Sequence, residues 1–127
     1  MKTTFSTFGI PSLLLNYGKQ ALPTPEIQYI EGEGNYSIIK TISNGKLTSS
    51  FTLRLFSEQL KEFQNFFSPR KGLLLNIDYL VEVNNHNGIF YAIMKDGKAH
   101  ILSRRKGKAF VCYLSDNNLN ELIKIVK

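Results

Sequence analysis

The stretch "YLVEVNNHNGIFYAIMKDGKAHILS", Tyr79 to Ser103, holds three strand-length apolar runs separated by Asn87-Gly88 and Asp96-Gly97. Both pairs readily adopt the positive φ angles that a tight type I′ turn requires, so the runs predict hairpin-connected antiparallel strands. Alternation of strands with helices would be needed for a parallel sheet, and it is not the pattern here. Upstream, "IQYIE", "NYSIIKTI", "KLTSSFTL" and "LLLNI" have the same character, and Asn44-Gly45 supplies a third hairpin signal. The expected class is mainly β, a β-rich α+β domain.

Two segments depart from this rhythm. In "LFSEQLKEFQNFF", Leu55, Phe56, Leu60, Phe63 and Phe67 recur at spacings of three and four, which predicts one amphipathic helix with Ser57 as N-cap and Pro69 as its stop. Near the end, "KAFVCYL" fits a short helix or a strand, and a short C-terminal helix is expected from about Asn118, with Leu119, Leu122, Ile123 and Val126 on one face. Residues 1–25 read as an N-terminal arm or linker: they show no sustained periodicity, "LPTPE" favours extended backbone, and Ser12 to Tyr17 is read as a helical turn. Residues 26–127 then form the domain.

A chain of 127 residues has room for one domain, burying roughly two-thirds of its unfolded surface. The formal charge of +6 points to an anionic partner. Most of it sits between Lys95 and Lys108, where six basic residues face the single acid Asp96. One cysteine excludes an internal disulfide, and the apolar runs Leu13–Leu15 and Leu73–Leu75 are far short of a membrane span. With no export signal at the N-terminus, the expectation is a reduced, soluble, cytoplasmic protein without membrane association.

"YIEGEGNYSII", Tyr29 to Ile39, begins like a dinucleotide-binding loop, but the third glycine is missing and a strand follows where a helix should. Glu31 and Glu33 also put negative charge where phosphate would lie. A bend or bulge between two strands accounts for the glycines. His86 and His100 have no evident triad or ligand set, and one cysteine without a Cys-x-x-Cys pair carries no zinc signature. Cys112 reads as a small core residue. Neither enzymatic activity, cofactor nor metal is expected. "SRRKGKA" is the informative feature, since lysines can contact phosphates and arginines can also read guanine edges. A charge run is usually a solvated face, but this one follows a strand directly, and Arg70-Lys71 supplies a second basic pair.

From Ile27 to Leu114 the order of motifs resembles the LytTR DNA-binding domain of bacterial transcription regulators. The resemblance rests on "IQYIEGEGNYSIIKT", on "LRLFSEQL", on "FFSPRKGLLLNIDYLVEV" and on "MKDGKAHILSRRKGKAF", four pieces in the family order. It implies a domain of several small antiparallel sheets that binds duplex DNA sequence-specifically by inserting loops into successive major grooves. Carried over by position, the DNA-binding residues are Asn35, Tyr36 and Ser37, then Arg70 and Lys71, then Arg104, Arg105 and Lys106. Arg105, Arg70 and Asn35 are expected to read bases, and Lys71 and Lys106 to hold phosphate. Asn76 is expected to bond backbone, not DNA. The family's His-Arg-Ser loop stands here as Arg70-Lys71-Gly72, and its upstream arginine as Ser68, which alters the donor pattern offered to the groove. No receiver domain precedes Glu26, so control is expected by a route other than its phosphorylation. A homodimer on paired sites would extend the short stretch of DNA that one domain covers. The rival is a β-rich protein-interaction or small-ligand module, in which the basic loops are solvated and Tyr29, Phe90, Tyr91 and Tyr113 form core or pocket. Single-stranded RNA binding would need stacked, exposed aromatics.

Overall fold

The computed structural model describes residues 4–5, 11–14, 21–42, 45–61, 63 and 65–125. Near the N-terminus β1 (Thr4–Phe5), β2 (Pro11–Leu14) and β3 (Ala21–Pro23) form a small antiparallel sheet. Residues 12–14, read as part of a helical turn, are thus extended within β2, and residues 15–17 lie outside the described part. There follow β4 (Ile27–Glu33), β5 (Tyr36–Thr41), β6 (Lys46–Ser49), helix α1 (Leu53–Leu60), β7 (Phe66–Arg70) and β8 (Leu73–Asn76). The five strands pair antiparallel in the order β6-β5-β4-β8-β7. β9 (Leu80–His86), β10 (Ile89–Met94), β11 (Ala99–Leu102), helix α2 (Arg104–Asp116) and β12 (Ile123–Ile125) complete the described elements. Their sheet runs β11-β10-β9-β12, antiparallel except that β12 lies parallel to β9. The described residues are therefore β-rich with two α-helices, as expected. No helix among the described residues is long and apolar enough to cross a membrane.

Successive residues of β8 explain why "LLLNI" shows no alternation. Leu73 and Leu75 enter one core with Tyr29, Phe90, Met94, Leu102, Phe110 and Leu114, while Leu74 enters a second with Ile30, Ile39, Phe56 and Leu60. A strand buried on both faces reads as a continuous apolar run. The central sheet is thereby fixed between α1 on one side and α2 with the β9–β12 sheet on the other. Asn76 closes the strand: its Nδ2 donates to Ile27 O at 2.8 Å, and its Oδ1 accepts from Asp78 N at 3.0 Å. It bonds backbone, as expected, and is fully buried.

The turns hold two refinements. At Asn87-Gly88 both residues have positive φ, +55° and +84°, as a type I′ turn demands. At Asp96-Gly97 only Gly97 does (φ +89°), and Met94 N bonds Lys98 O, so this is a three-residue loop in place of the expected two-residue turn. Gly45 has φ +70°, whereas Asn44 lies outside the described residues.

Both helices differ in position from expectation. α1 begins at Leu53, four residues before Ser57, with Thr52 at the N-cap position and no side-chain cap. Burial of Phe56 and Leu60, one helical turn apart, sets its span and outweighs the capping signal. Phe67 and Pro69 lie beyond it in β7, where Phe67 stacks on Phe110 at 4.8 Å and Pro69 sits at a register shift of an edge strand. "KAFVCYL" is helical, inside α2, whose buried face is Gly107, Phe110 and Leu114. That helix ends where one was expected to start. Asn118 adopts φ +61°, Asn118 N bonds Ser115 O and Leu119 N bonds Leu114 O, the two bonds of a Schellman stop. Residues 120–125 then form a single tight turn and β12. Cys112 falls on the outer face of α2 and is exposed, not core.

Candidate nucleic-acid interface

Ser103 caps α2, its Oγ accepting from Lys106 N at 3.2 Å. Arg104, Arg105 and Lys106 form the first helical turn and are exposed. The expected basic loop is thus a helix start, and three cations add to the positive end of the helix dipole, where anions are favoured. Gly107 fixes this turn against the sheet: a Cβ there would lie 2.8 Å from Cγ and Cδ2 of Phe90. The helix can approach β10 this closely only because position 107 has no side chain.

The other two sequence-predicted segments are hairpin turns of the central sheet. In the β4–β5 turn, Glu33 pairs with Tyr36 and Gly34 has φ +76°. A two-residue turn with glycine first is of type II′ and leaves Asn35 exposed at its tip, with Tyr36 beside it 44% exposed. The paired glycines of "GEG" therefore do different work. Gly34 makes the turn, whereas Gly32 lies within β4, where a Cβ would stand 3.0 Å from Leu53 Cβ, so its bareness lets α1 pack down. Ser37 does not belong to this surface. It is fully buried and its hydroxyl donates to Phe51 O at 2.9 Å, because the pleat turns alternate residues of β5 inward. In the β7–β8 turn, Lys71 is exposed and Gly72 has φ +83°, its carbonyl accepting from Gly32 N at 2.9 Å.

These pieces converge. A hollow of about 600 Å³ is lined by Gly34 from the first turn, Lys71 and Gly72 from the second, Lys106 from α2, and Arg54 and Ser57 from α1. Arg54 was missed in the sequence because the helix start was placed after it; no spacing or motif marks it. Arg104 and Arg105 share the turn of Lys106 but do not line the hollow.

On its other side Lys71 borders a second hollow of about 620 Å³, together with Glu31, Arg70, Lys98, His100 and Ser103. Arg70 is half-buried here, not free at a loop tip. Lys98 pairs with Glu31 at 2.8 Å, and Tyr29 donates its hydroxyl to Asp96 at 2.8 Å. Burial, then the bond to Asp96, pushes the Tyr29 phenol far above its usual range. Burial acts to raise the Asp96 carboxyl, but the Lys98 N–H and the Tyr29 hydroxyl outweigh it and hold the group below its usual value. His100 is buried against the Tyr29 ring, 4.5 Å between centroids at 71°, and desolvation lowers its pKa, with Lys98 and Arg70 opposing the pull of Glu31. Among the described residues, no group of three His, Cys, Asp or Glu could hold a metal ion.

The LytTr DNA-binding domain model matches residues 19–123. Among solved structures, the LytTr DNA-binding domain of a methyl-accepting/DNA response regulator from Bacillus cereus superposes with a TM-score of 0.67 at 15% identity, covering 81% of this chain and 95% of that one. At this identity the likeness speaks for the fold. No curated protein matches by sequence.

Proposed function

The chain belongs to the LytTr DNA-binding domain family, and from that premise we propose that it binds duplex DNA sequence-specifically as a bacterial, cytoplasmic transcription regulator. The observation that carries the reading is the convergence of the β4–β5 turn, the β7–β8 turn and the first turn of α2 on one hollow bordered by Arg54, Lys71 and Lys106. Cations from three separate elements on one face can follow a phosphate backbone, and phosphate contacts fix register without reading sequence. Base reading falls to the exposed Arg105 and Asn35 that flank those cations, arginine through guanine O6 and N7, asparagine through adenine N6 and N7. Arg104 adds to the field, and Tyr36 can lie along the groove wall. Two copies on paired sites would lengthen the sequence read.

Selection of bound duplexes from random DNA tests this directly. The expected result is an enriched motif whose log K falls steeply with log salt, with Arg105→Ala costing about 1–3 kcal/mol and relaxing one position of the motif. No enrichment, and no duplex binding at low salt, would overturn the reading. Gel filtration with and without a two-site duplex decides the stoichiometry.

A further inference from the structure

β11 (Ala99–Leu102) closes one end of the β11-β10-β9-β12 sheet, so only one of its two edges is paired. The bond from Met94 N to Lys98 O fixes the phase of its ladder. Hydrogen-bonded and non-bonded pairs alternate in an antiparallel ladder, so His100 and Leu102 exchange bonds with Ala92 and Phe90, whereas Ala99 and Ile101 turn their N–H and C=O away from β10. No backbone bond among the described residues reaches those outward groups. Natural sheets usually blunt such an edge. β7 does so with Pro69 and a register shift, but β11 carries neither proline nor bulge.

The hollow of about 620 Å³ is lined by all four residues of β11, with Glu31, Arg70 and Lys71 of the central sheet and its turn as a second wall. Buried His100 and exposed Ile101 belong to opposite faces of the strand, so a hollow that both line runs along the free edge. Four residues of strand span about 13 Å, and a neighbouring strand lies about 4.8 Å away, so the shape that fits is a short extended segment. Arg70, Lys71 and Lys98 outnumber Glu31, which Lys98 engages at 2.8 Å, so the wall favours negative charge. The outer side is apolar: Ile101 is 58% exposed, and Tyr91 is its cross-strand partner.

We propose that the free edge of β11 is a docking site for an extended, acidic segment of a partner protein, which adds to the four-stranded sheet with acidic and apolar side chains in alternation. Ala99 and Ile101 each present a donor and an acceptor, which another backbone matches; a phosphate has acceptors only and would leave both carbonyls unmet. A second copy of this chain would set two basic rims against each other. Lys71 borders both this hollow and the one assigned to DNA, so a seated segment would draw a cation away from the duplex. That consequence rests on the DNA-binding reading, whereas the docking site does not.

The probe is the end-blocked pentapeptide Glu-Val-Glu-Val-Glu, titrated into the full chain at constant salt while backbone amide NMR signals and their hydrogen exchange are followed. Expected are saturable shifts and at least tenfold slower exchange at Ala99 and Ile101, with His100 and Leu102, already bonded to β10, little changed. The scrambled peptide Val-Val-Glu-Glu-Glu, and the probe N-methylated at the amides that face the edge, should each bind at least tenfold more weakly. Ile101→Pro removes one outward donor without touching the ladder to β10 and should weaken the probe likewise; should it fail to fold, the N-methylated probe carries the comparison. Equal binding of the scrambled peptide, or shifts without slowed exchange, reduces the site to a charged surface and overturns the proposal. Slowed exchange that follows protein concentration alone assigns the edge to a second copy, and slowed exchange with duplex DNA but not with the probe assigns it to nucleic acid; either overturns it. Duplex binding itself would stand in every one of these cases.

Discussion

The Phe90 ring occupies the space in which a side chain at Gly107 would begin, with Cγ and Cδ2 both 2.8 Å from a Cβ built there. This pair couples the core under β10 to the first turn of α2, which presents Arg104, Arg105 and Lys106. Gly107→Ala sets two effects against each other. Alanine favours a helix interior by about 1 kcal/mol, while forcing a methyl into packed core costs about 1–3 kcal/mol. The obstacle is the root of a buried ring, not the tip of a flexible chain, so the second effect should win. Urea titration should show a lower midpoint at unchanged slope. Phe90→Leu should recover part of the loss when combined with Gly107→Ala, although alone it is destabilising.

Asn76 ties three separate stretches of the chain together from one buried position. Besides Ile27 O and Asp78 N, its Oδ1 accepts from Asn65 Nδ2 at 3.2 Å. Asn76→Ala leaves Ile27 O buried without this donor. The expected cost is about 2 kcal/mol or more, read as a shift in urea midpoint, because an orphaned buried group loses its solvation as well as its bond. Asn76→Asp should be no rescue, since a carboxylate has no proton to give Ile27 O.

His100 makes stability depend on pH in a defined window. Burial lowers its folded pKa from 6.5, so below that value the unfolded chain binds more protons than the folded one. Stability should therefore fall as pH drops from 7.5 to 5.5, by at most about 1.4 kcal/mol per pH unit from this residue. Asp96 acts elsewhere: its carboxyl is held below 3.8, so its contribution is lost only under more acidic conditions. In His100→Gln the slope between pH 6.5 and 5.5 should flatten. An unchanged slope would place its origin in other groups.

Much of the fold can be read locally, and the errors have local causes. Asn87-Gly88 was legible because both residues must enter the left-handed region, which few other pairs do. Asp96-Gly97 looked the same, but the Asp96 carboxylate is drawn to Lys98 N and the Tyr29 hydroxyl, and the loop takes one more residue. Phe63 and Phe67 extended the apparent period of α1 because both are apolar for other reasons, Phe67 for its stack on Phe110. The start of α2 was invisible as a helix, since its first turn is all basic and its buried face opens with a glycine. In the candidate site, exposed charge was legible at Lys71 and at 104–106. Ser37 was misread because the pleat, not the motif, decides which side it faces, and the hollow shared by Arg54 and Lys106 is a product of tertiary packing.

The β4–β5 turn separates a structural residue from a binding one within two positions. Gly34 has φ +76° with nothing within 4 Å of a built Cβ, so Gly34→Val meets no clash but must hold a β-branched residue in the left-handed region. Strain of this kind costs of order 1–3 kcal/mol, and the thermal midpoint should fall accordingly. Asn35→Ala at the exposed tip should leave the midpoint within about 0.5 kcal/mol of the parent and weaken binding to the selected duplex. Equal affinity of Asn35→Ala and parent would make this turn structural only.

Arg54 and Lys71 face one hollow from helix and hairpin, and the salt dependence of binding can tell whether both touch phosphate. Each contact that displaces a counterion adds about 0.9 to the slope of log K against log salt. Arg54→Ala and Lys71→Ala should each lower that slope by about this amount, and the double variant by about twice as much, since the two come from separate elements. Affinity should drop by the same factor on the selected duplex and on random DNA, because phosphate contacts carry no sequence information. Arg105→Ala provides the contrast, with a loss concentrated on the selected duplex. A slope unchanged by Arg54→Ala but lowered by Lys71→Ala would confine the backbone path to the β7–β8 turn and α2, leaving the start of α1 outside the interface.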